Sequence, residues 1–152
     1  MLDLKALLNK ILTHIKNATT LTHPTMSITT SSGVLTQITT TQYNGWIQLY
    51  LYVRNASAVA SGANIYTGTI TTTGLRPQMY CMGCGYIGGY SIMGSITSNG
   101  SITIRNSTSR SITLGSNSVV ISFVYPPQNG GGVFSLQTLR NILTPRRVVG
   151  AC

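Results

Sequence analysis

The stretch GWIQLYLYVR, residues 45–54, alternates in character at every position. One set of alternate positions is wholly aliphatic: Ile47, Leu49, Leu51 and Val53. The other set carries rings and polar groups: Trp46, Gln48, Tyr50, Tyr52 and Arg54. Because successive side chains of a β-strand point to opposite faces, this pattern predicts a strand with one face in a core and one accessible face.

Short runs rich in Thr, Ser, Ile, Val and Tyr lie before and after this stretch. They predict further strands over 34–41, 63–72, 86–97, 101–106 and 118–125. Turn signals separate the strands at Asn44-Gly45, Ser61-Gly62, Asn99-Gly100 and Gly115-Ser116, and Asn99-Gly100 predicts a tight hairpin. Many short strands with regular turns are typical of a β-sandwich or jelly roll. We therefore expect a mainly β protein in which residues 34–127 form a jelly-roll-like β-sandwich head.

Charge is sparse in this chain and almost entirely of one sign. Its 152 residues include ten Lys and Arg but a single acid, Asp3, which gives a net charge of +9. Such a charge attracts polyanions at long range without identifying them, and nucleic acid is not the partner we expect. No apolar run approaches the roughly 20 residues that a membrane span requires. Asp3, Lys5 and Lys10 interrupt the apolar N-terminus, so we expect no signal peptide.

Residues 1–18 have the periodicity of an amphipathic helix. Apolar residues spaced 4, 3 and 4 apart follow a heptad seam: Leu4, Leu8, Ile11 and Ile15. Asp3 precedes all four, at the start of the helix, where a carboxylate caps the helix and stabilises its positive end. The combination of Leu at a and Ile at d favours three or four helices over two. Because so short a helix is marginal alone in water, we expect it to form a trimeric bundle that joins three chains.

Two other roles for this helix stay open at this point. Its apolar stripe could pack on the β domain of its own chain. Alternatively, the helix could lie on a membrane surface with Lys5, Lys10 and Lys16 facing outward.

Two segments outside the helix and the head have a different composition. Residues 19–33 are mainly polar, contain Pro24 and are expected to form a linker or shoulder. Residues 128–152 begin with a Gly-rich break and continue as a basic tail that carries Arg140, Arg146 and Arg147. The tail could touch a phosphate-rich partner or remain a docked or disordered terminus.

The near absence of acids excludes several kinds of chemistry. The chain has no Glu, and its single Asp lies in the predicted helix. Glycoside hydrolysis usually requires two carboxylates, and a Ser/His/acid triad would have to use Asp3 with His14 or His23. A calcium site built on carboxylates is excluded for the same reason. We therefore expect no catalytic residue, no cofactor and no enzymatic activity.

Cys81 and Cys84 form the motif CMGC, which is the one motif here with a chemical name. A C-x-x-C pair can be half of a zinc site or a redox pair. A structural zinc needs four ligands, and Cys152 and the two histidines are remote in the sequence. We favour two small apolar residues near a Gly-rich turn, while a zinc site or a disulfide stays open as the alternative.

Aromatic side chains are the best candidates for contact with a partner. Tyr80, Tyr86 and Tyr90 belong to one Gly-rich region, and the strand at 45–54 adds the aromatic face of Trp46, Tyr50 and Tyr52. Rings of this kind stack on sugars and pack equally well between subunits. Both roles stay open from the sequence.

The segment SGANIYTGTITTTGLRPQMY, residues 61–80, resembles the G-T-L-P-x-G-Y-R-P stretch of bacteriophage tail-fibre and receptor-binding tip domains. Thr69-Ile70 stands where Thr-Leu is usual, and Gly74-Leu75-Arg76-Pro77 corresponds to G-Y-R-P. GSITSNGSITIRN, residues 94–106, is similar to the closing hairpin of that family, and SVVISFVY, residues 118–125, is similar to its final strand. The helical opening is similar to that of small phage proteins that start with a trimerising helix.

The resemblance implies a homotrimeric virion protein that binds a bacterial surface glycan without cutting it. Rings and forked donors are then the expected ligand contacts, first Tyr86, Tyr90 and Arg76, and second Trp46, Tyr50 and Tyr52. The sparse positive charge favours an anionic glycan. The alternative is a capsid-decorating or head-fibre protein that mainly contacts other virion proteins. A cationic secreted or membrane-active protein fits the charge but not the N-terminus.

Overall fold

The computed structural model describes residues 3–129, apart from the side chains of Asn17 and Ala18. Helix α1 (Leu4–Thr19) precedes all of the strands. The strands are β1 (Ile28–Ser32), β2 (Val34–Tyr43), β3 (Trp46–Arg54), β4 (Asn64–Ile70), β5 (Cys81–Ile87), β6 (Tyr90–Ile96), β7 (Ser101–Arg105) and β8 (Val119–Tyr125). A short 3₁₀ turn, Thr73–Leu75, lies between β4 and β5. The predicted mainly β head with a short N-terminal helix is confirmed.

All eight strands belong to one antiparallel sheet in the order β1-β4-β7-β6-β5-β8-β3-β2. The two strands at the ends of this order, β1 and β2, are neighbours in the chain and are separated only by Gly33. One bent segment therefore pairs with β4 along its first half and with β3 along its second half. This segment nearly closes the sheet, and the aliphatic face predicted for residues 47–53 is fully buried inside it.

The corner at Gly33 depends on the absence of a side chain. Its φ is +73°, a backbone conformation that residues with a Cβ rarely adopt. A Cβ at this position would overlap the carbonyl oxygen of Ile65 and would lie 3.1 Å from the Cα of Tyr66 and 3.4 Å from the carbonyl oxygen of Arg54. The corner thus passes directly between the end of β3 and the start of β4.

A comparison of Gly33→Ala with Gly62→Ala isolates this close approach. Gly62 has nearly the same φ, +75°, but no atom lies within 4 Å of its added Cβ. Both variants should lose about 1–2 kcal/mol from the left-handed backbone alone. Gly33→Ala should lose about 1–3 kcal/mol more, because the corner must move away from Ile65. Urea unfolding measures both losses, and equal losses would contradict the role given to the corner.

The glycines of β5 and β6 make room for a ring in the core. Phe123 on β8 is almost fully buried, and added Cβ atoms at Gly83 and Gly94 would lie 2.5 and 2.7 Å from its ring atoms. Bulkier residues at these positions would displace the ring. The Gly-rich composition of this region therefore serves close packing.

Two predicted segments differ from the observed structure. The strand predicted over 86–97 is a hairpin of β5 and β6 that turns at Gly88-Gly89. The segment 19–33, predicted as a linker, contains β1 and places Met26 in the core. Strand β1 has the sequence ITTSS, which lacks an apolar alternation, so its pairing with β4 had no local signal. The tail predicted over 128–152 lies outside the described residues from position 130 onward.

The hairpin signals are confirmed where the sequence placed them. Tyr43 pairs with Trp46 across Asn44-Gly45, and both turn residues have positive φ, 49° and 77°. This is the geometry of a two-residue hairpin turn. Asn99-Gly100 joins β6 to β7 as predicted. The loop has three residues, 98–100, rather than the two that the dipeptide predicts, because the Thr97 N–H donates to the Ser101 carbonyl at 3.0 Å.

The chain enters and leaves the sheet at the same end. On the N-terminal side, Thr22 pairs with Gln42 near the end of β2. On the C-terminal side, Pro127 pairs with Pro77, and the Tyr125 hydroxyl donates to the Leu75 carbonyl at 2.9 Å. Tyr125 is buried, so its hydroxyl fixes the 3₁₀ turn to the last strand.

Stability at high pH should depend on Tyr125. Burial raises the pKa of its phenol far above the ordinary value of about 10. The phenol ionises first in the unfolded chain, so the free energy of unfolding falls as the pH rises above about 10. Tyr125→Phe should lose about 1 kcal/mol at neutral pH, from the missing hydrogen bond, and should show a shallower alkaline loss. An unchanged alkaline slope in urea titrations, compared with Tyr86→Phe as an exposed control, would contradict this.

Candidate functional site

The aromatic face predicted for β3 continues across three more strands. Strand order places β8 beside β3, β5 beside β8 and β6 beside β5. In register, Tyr52 lies opposite Val120, which lies opposite Tyr86. The outer apolar face, as we name this surface, consists of Trp46, Tyr50, Tyr52, Val120, Val124, Met82, Cys84, Tyr86 and Met93. Two groups of rings that are separate in the sequence thus lie on one surface.

This outer apolar face is accessible and uncharged. The exposed fraction is 70% for Tyr86, 56% for Met82 and 55% for Val124. Residues 46–53 and strands β5, β6 and β8 contain no Lys, Arg, Asp or Glu. An exposed apolar surface of this kind marks an interaction site more often than scattered apolar side chains do.

A half-open groove of about 500 Å³ borders the outer apolar face on the side of β6 and β7. Its lining includes Tyr80, Met82, Met93, Ser95, Thr103 and Arg105. Arg105 is exposed, and its Nε donates to the Asn64 Oδ1 at 3.2 Å. A ring, two thioethers, two hydroxyls and a guanidinium thus line one concave surface, a combination that suits a polar ligand with apolar faces.

A second groove, of about 480 Å³, lies at the other border of the outer apolar face. Leu21, Tyr43, Trp46 and Val124 contribute its apolar lining. Leu21 follows helix α1 by two residues, so this groove lies where the helix joins the sheet. The sequence placed Leu21 in a polar linker and gave no sign of this contact.

Tyr90 does not share a surface with Tyr86. It pairs with Ile87 at the turn end of the β5–β6 hairpin, and both side chains pack partly against the core. The guanidinium carbon of Arg110 lies 5.8 Å from the centroid of the Tyr90 ring, within the range of a cation–π contact. Tyr90 is therefore half-buried by contacts within its own chain.

Arg76 is also engaged within the fold. Its Nε donates to the Ile70 carbonyl at 2.9 Å, and the side chain lies against Gly100. Leu75 beside it is buried, and Pro77 pairs with Pro127. The Gly-Leu-Arg-Pro residues that carry the family resemblance thus hold together the end of the sheet at which the chain leaves it.

Cys81 and Cys84 lie on opposite faces of β5. The Cys81 side chain is buried, with Sγ 3.6 Å from the Val124 carbonyl oxygen, and burial raises the pKa of its thiol. Cys84 is exposed on the outer apolar face. Both thiols are free, so this placement does not join them in a disulfide or on one metal ion. Within residues 3–129, no three His, Cys, Asp or Glu side chains come together as metal ligands.

Helix α1 begins at the predicted cap. The Asp3 carboxylate accepts hydrogen bonds from the backbone N–H groups of Lys5 and Ala6, both at 3.1 Å. The side chains of Leu4, Leu8 and Ile15 are exposed, whereas Ile11 is half-buried. Most of the predicted seam is therefore not covered by the β domain of its own chain. No helix of the described part is long and apolar enough to cross a membrane.

One solved structure is similar to part of this chain. No protein-family model and no curated protein matches it. Among solved structures, it is similar to the head domain of phage bIL170, reported with the question of whether the receptor-binding domains of lactococcal phages share a common fold. The two chains are 19% identical with a TM-score of 0.47, over 71% of this chain and 99% of that one. This similarity assigns no family to the chain and no role to any of its residues.

Proposed function

We propose that this chain is a non-enzymatic bacteriophage virion protein, a homotrimeric fibre or receptor-binding protein whose β head contacts a glycan on the bacterial surface. The groove lined by Tyr80, Met82 and Arg105 carries the proposal. Polysaccharides present apolar sugar faces, hydroxyls and, in many cell walls, phosphate groups. In the groove, a tyrosine ring can stack on a sugar face, the Ser and Thr hydroxyls can bond sugar hydroxyls, and the guanidinium can bind a phosphate group.

Trimerisation is supported by the exposed seam of helix α1. Leu4, Leu8 and Ile15 leave an apolar stripe in water unless another helix covers it. A helix of 16 residues gains most of its stability from packing, so the stripe favours a bundle. Three heads held in a fixed arrangement would bind a repetitive surface with far greater avidity than one. The bundle would therefore serve attachment.

An anionic glycan is supported by charge. The net charge of +9 attracts polyanions over long distances, and Arg105 supplies a cation inside the groove itself. Tyr86 lies on the adjoining outer apolar face, where it is a candidate for contact either with a glycan or with another copy of the chain. Arg76 and Tyr90 are weaker candidates than the sequence made them, because contacts within the chain already engage both side chains.

The absence of enzymatic activity is supported by the position of the only acid. Asp3 caps helix α1 and accepts two backbone hydrogen bonds there, and no second carboxylate side chain exists in the sequence. Hydrolysis of a glycosidic bond by a pair of carboxylates therefore has no candidate residues.

The alternative function is capsid decoration, with contacts mainly to other virion proteins. The outer apolar face favours it, since an uncharged surface of rings, Val and Met suits a protein partner better than an anionic polymer. The two functions separate experimentally, because only the first requires the groove to bind a glycan.

The oligomer should depend on the helix seam. Leu8→Asn combined with Ile15→Asn removes two exposed apolar side chains from the stripe and should convert a trimer into monomers, while the β-sheet circular dichroism stays unchanged. Thr13→Asn, on the polar side of the same helix, is the matched control and should remain trimeric. Light scattering at micromolar concentration measures the mass. A monomeric parent protein would contradict the trimer, and a trimeric double variant would contradict the role of the helix.

Glycan binding should depend on the groove. Arg105→Ala should weaken binding to purified phosphate-bearing wall polysaccharide by about tenfold, since hydrogen bonds to charged groups contribute about 1.5–3 kcal/mol. Arg54→Ala removes the same charge outside the groove and should change affinity much less. Binding should also fall steeply with salt, as screening shortens the range of the charge. Equal effects of the two substitutions, or binding indifferent to both Arg105→Ala and Tyr80→Ala, would contradict a glycan site here.

A further inference from the structure

We infer that the outer apolar face is the surface through which the heads of neighbouring copies contact one another. The partner is a second copy of this chain, and the inference rests on the proposed homotrimer. It assigns the central part of this face, around Cys84, to assembly rather than to the receptor.

The size of the face suits a contact between heads that are already tied together. Four adjacent strands of about seven residues cover roughly 400 Å², given strand spacings of about 4.8 Å and rises of about 3.3 Å per residue. A stable interface between free proteins buries about 800 Å² on each partner. The face alone is therefore too small to hold free heads together, but it is sufficient when a helical bundle already keeps the copies close.

Charge selects a second copy as the occupant. Copies of a chain with ten cations and one acid repel each other wherever their charged side chains meet. The outer apolar face has no charged residue over residues 46–53 and over strands β5, β6 and β8, and the cations Arg54 and Arg105 lie at its edges. An anionic polymer would find no cation at its centre, whereas copies arranged around a three-fold axis would bring these uncharged surfaces together without burying a charge.

The path of the chain places this face next to the helix. Leu21 lies two residues beyond helix α1 and shares a groove with Trp46 and Val124 on the outer apolar face. The apolar surface of the face therefore continues toward the end of the helix. Copies bundled through their helices would bring these faces toward one another, while Arg105 lies at the far border, where the glycan groove can stay open.

Cys84 provides the test, because it lies at the centre of the face. Its strand neighbours are Ser122 on one side and Met93 on the other. In the full chain carrying Cys152→Ser, two thiols remain: Cys84, which is exposed, and Cys81, which is buried. The rate at which a thiol reagent modifies Cys84 then reports whether the face is covered.

In the trimer, Cys84 should react at least about tenfold more slowly than in the Leu8→Asn, Ile15→Asn variant, because coverage by another copy blocks access. The matched control combines Cys84→Ser with Ser57→Cys, which moves the thiol to an exposed loop, and should react at one rate in both forms. Val124→Lys places a charge in the proposed contact, so it should weaken the contact between heads and raise the reactivity of Cys84. Thr29→Lys, on strand β1 away from this face, should leave the reactivity of Cys84 unchanged.

Each other outcome overturns the inference in a distinct way. A confirmed trimer in which Cys84 reacts as fast as in the dissociated variant would leave the face uncovered, with the proposed function intact. Protection that persists in the dissociated variant, and disappears when residues 130–152 are removed, would assign the face to the C-terminal segment of the same chain. Protection that appears only when wall polysaccharide is added would assign the face to the receptor.

Discussion

The backbone of the β1–β2 corner passes between strands β3 and β4 at Gly33, and the arrangement of the other strands depends on this contact. Without it, β1 and β2 would be two open edges, and unpaired edges invite association with other chains. With it, one bent segment joins both ends of the strand order and encloses the core, to which β3, β4, β6, β7 and β8 all contribute. The outward positions of β3, β8, β5 and β6 then form one continuous surface.

The division of this surface into two parts gives the molecule its proposed mode of action. The uncharged part extends from Trp46 to Met93 and borders the end of helix α1 at Leu21. The groove with Arg105 lies at the opposite border, where Met82 and Met93 belong to both parts. The residues that resemble the phage tip family, Gly74 to Pro77, contribute to neither part and instead hold the end of the sheet together. Because these residues have a structural role, their resemblance to the family indicates a similar fold more directly than it indicates a similar ligand.

Local patterns predicted the elements whose causes are local. Strand β3, its hairpin at Asn44-Gly45 and the Asp3 cap of helix α1 are each specified by neighbouring residues. Strand β5 was missed because its glycines lower strand propensity. The reason for Gly83, its contact with the buried Phe123 ring, lies 40 residues away in the sequence. The groove was missed for a similar reason, since Met82, Met93 and Arg105 meet only when the strand order is known.

An experimental structure of the assembled protein would test the central claim most directly, namely that one chain divides its surface between self-assembly and attachment. The account predicts three copies with their α1 helices in one bundle, the central part of the outer apolar face around Cys84 buried between copies, and the Arg105 groove open to solvent. A monomer, or an assembly in which the groove is buried between copies while Cys84 and Val124 face solvent, would contradict it.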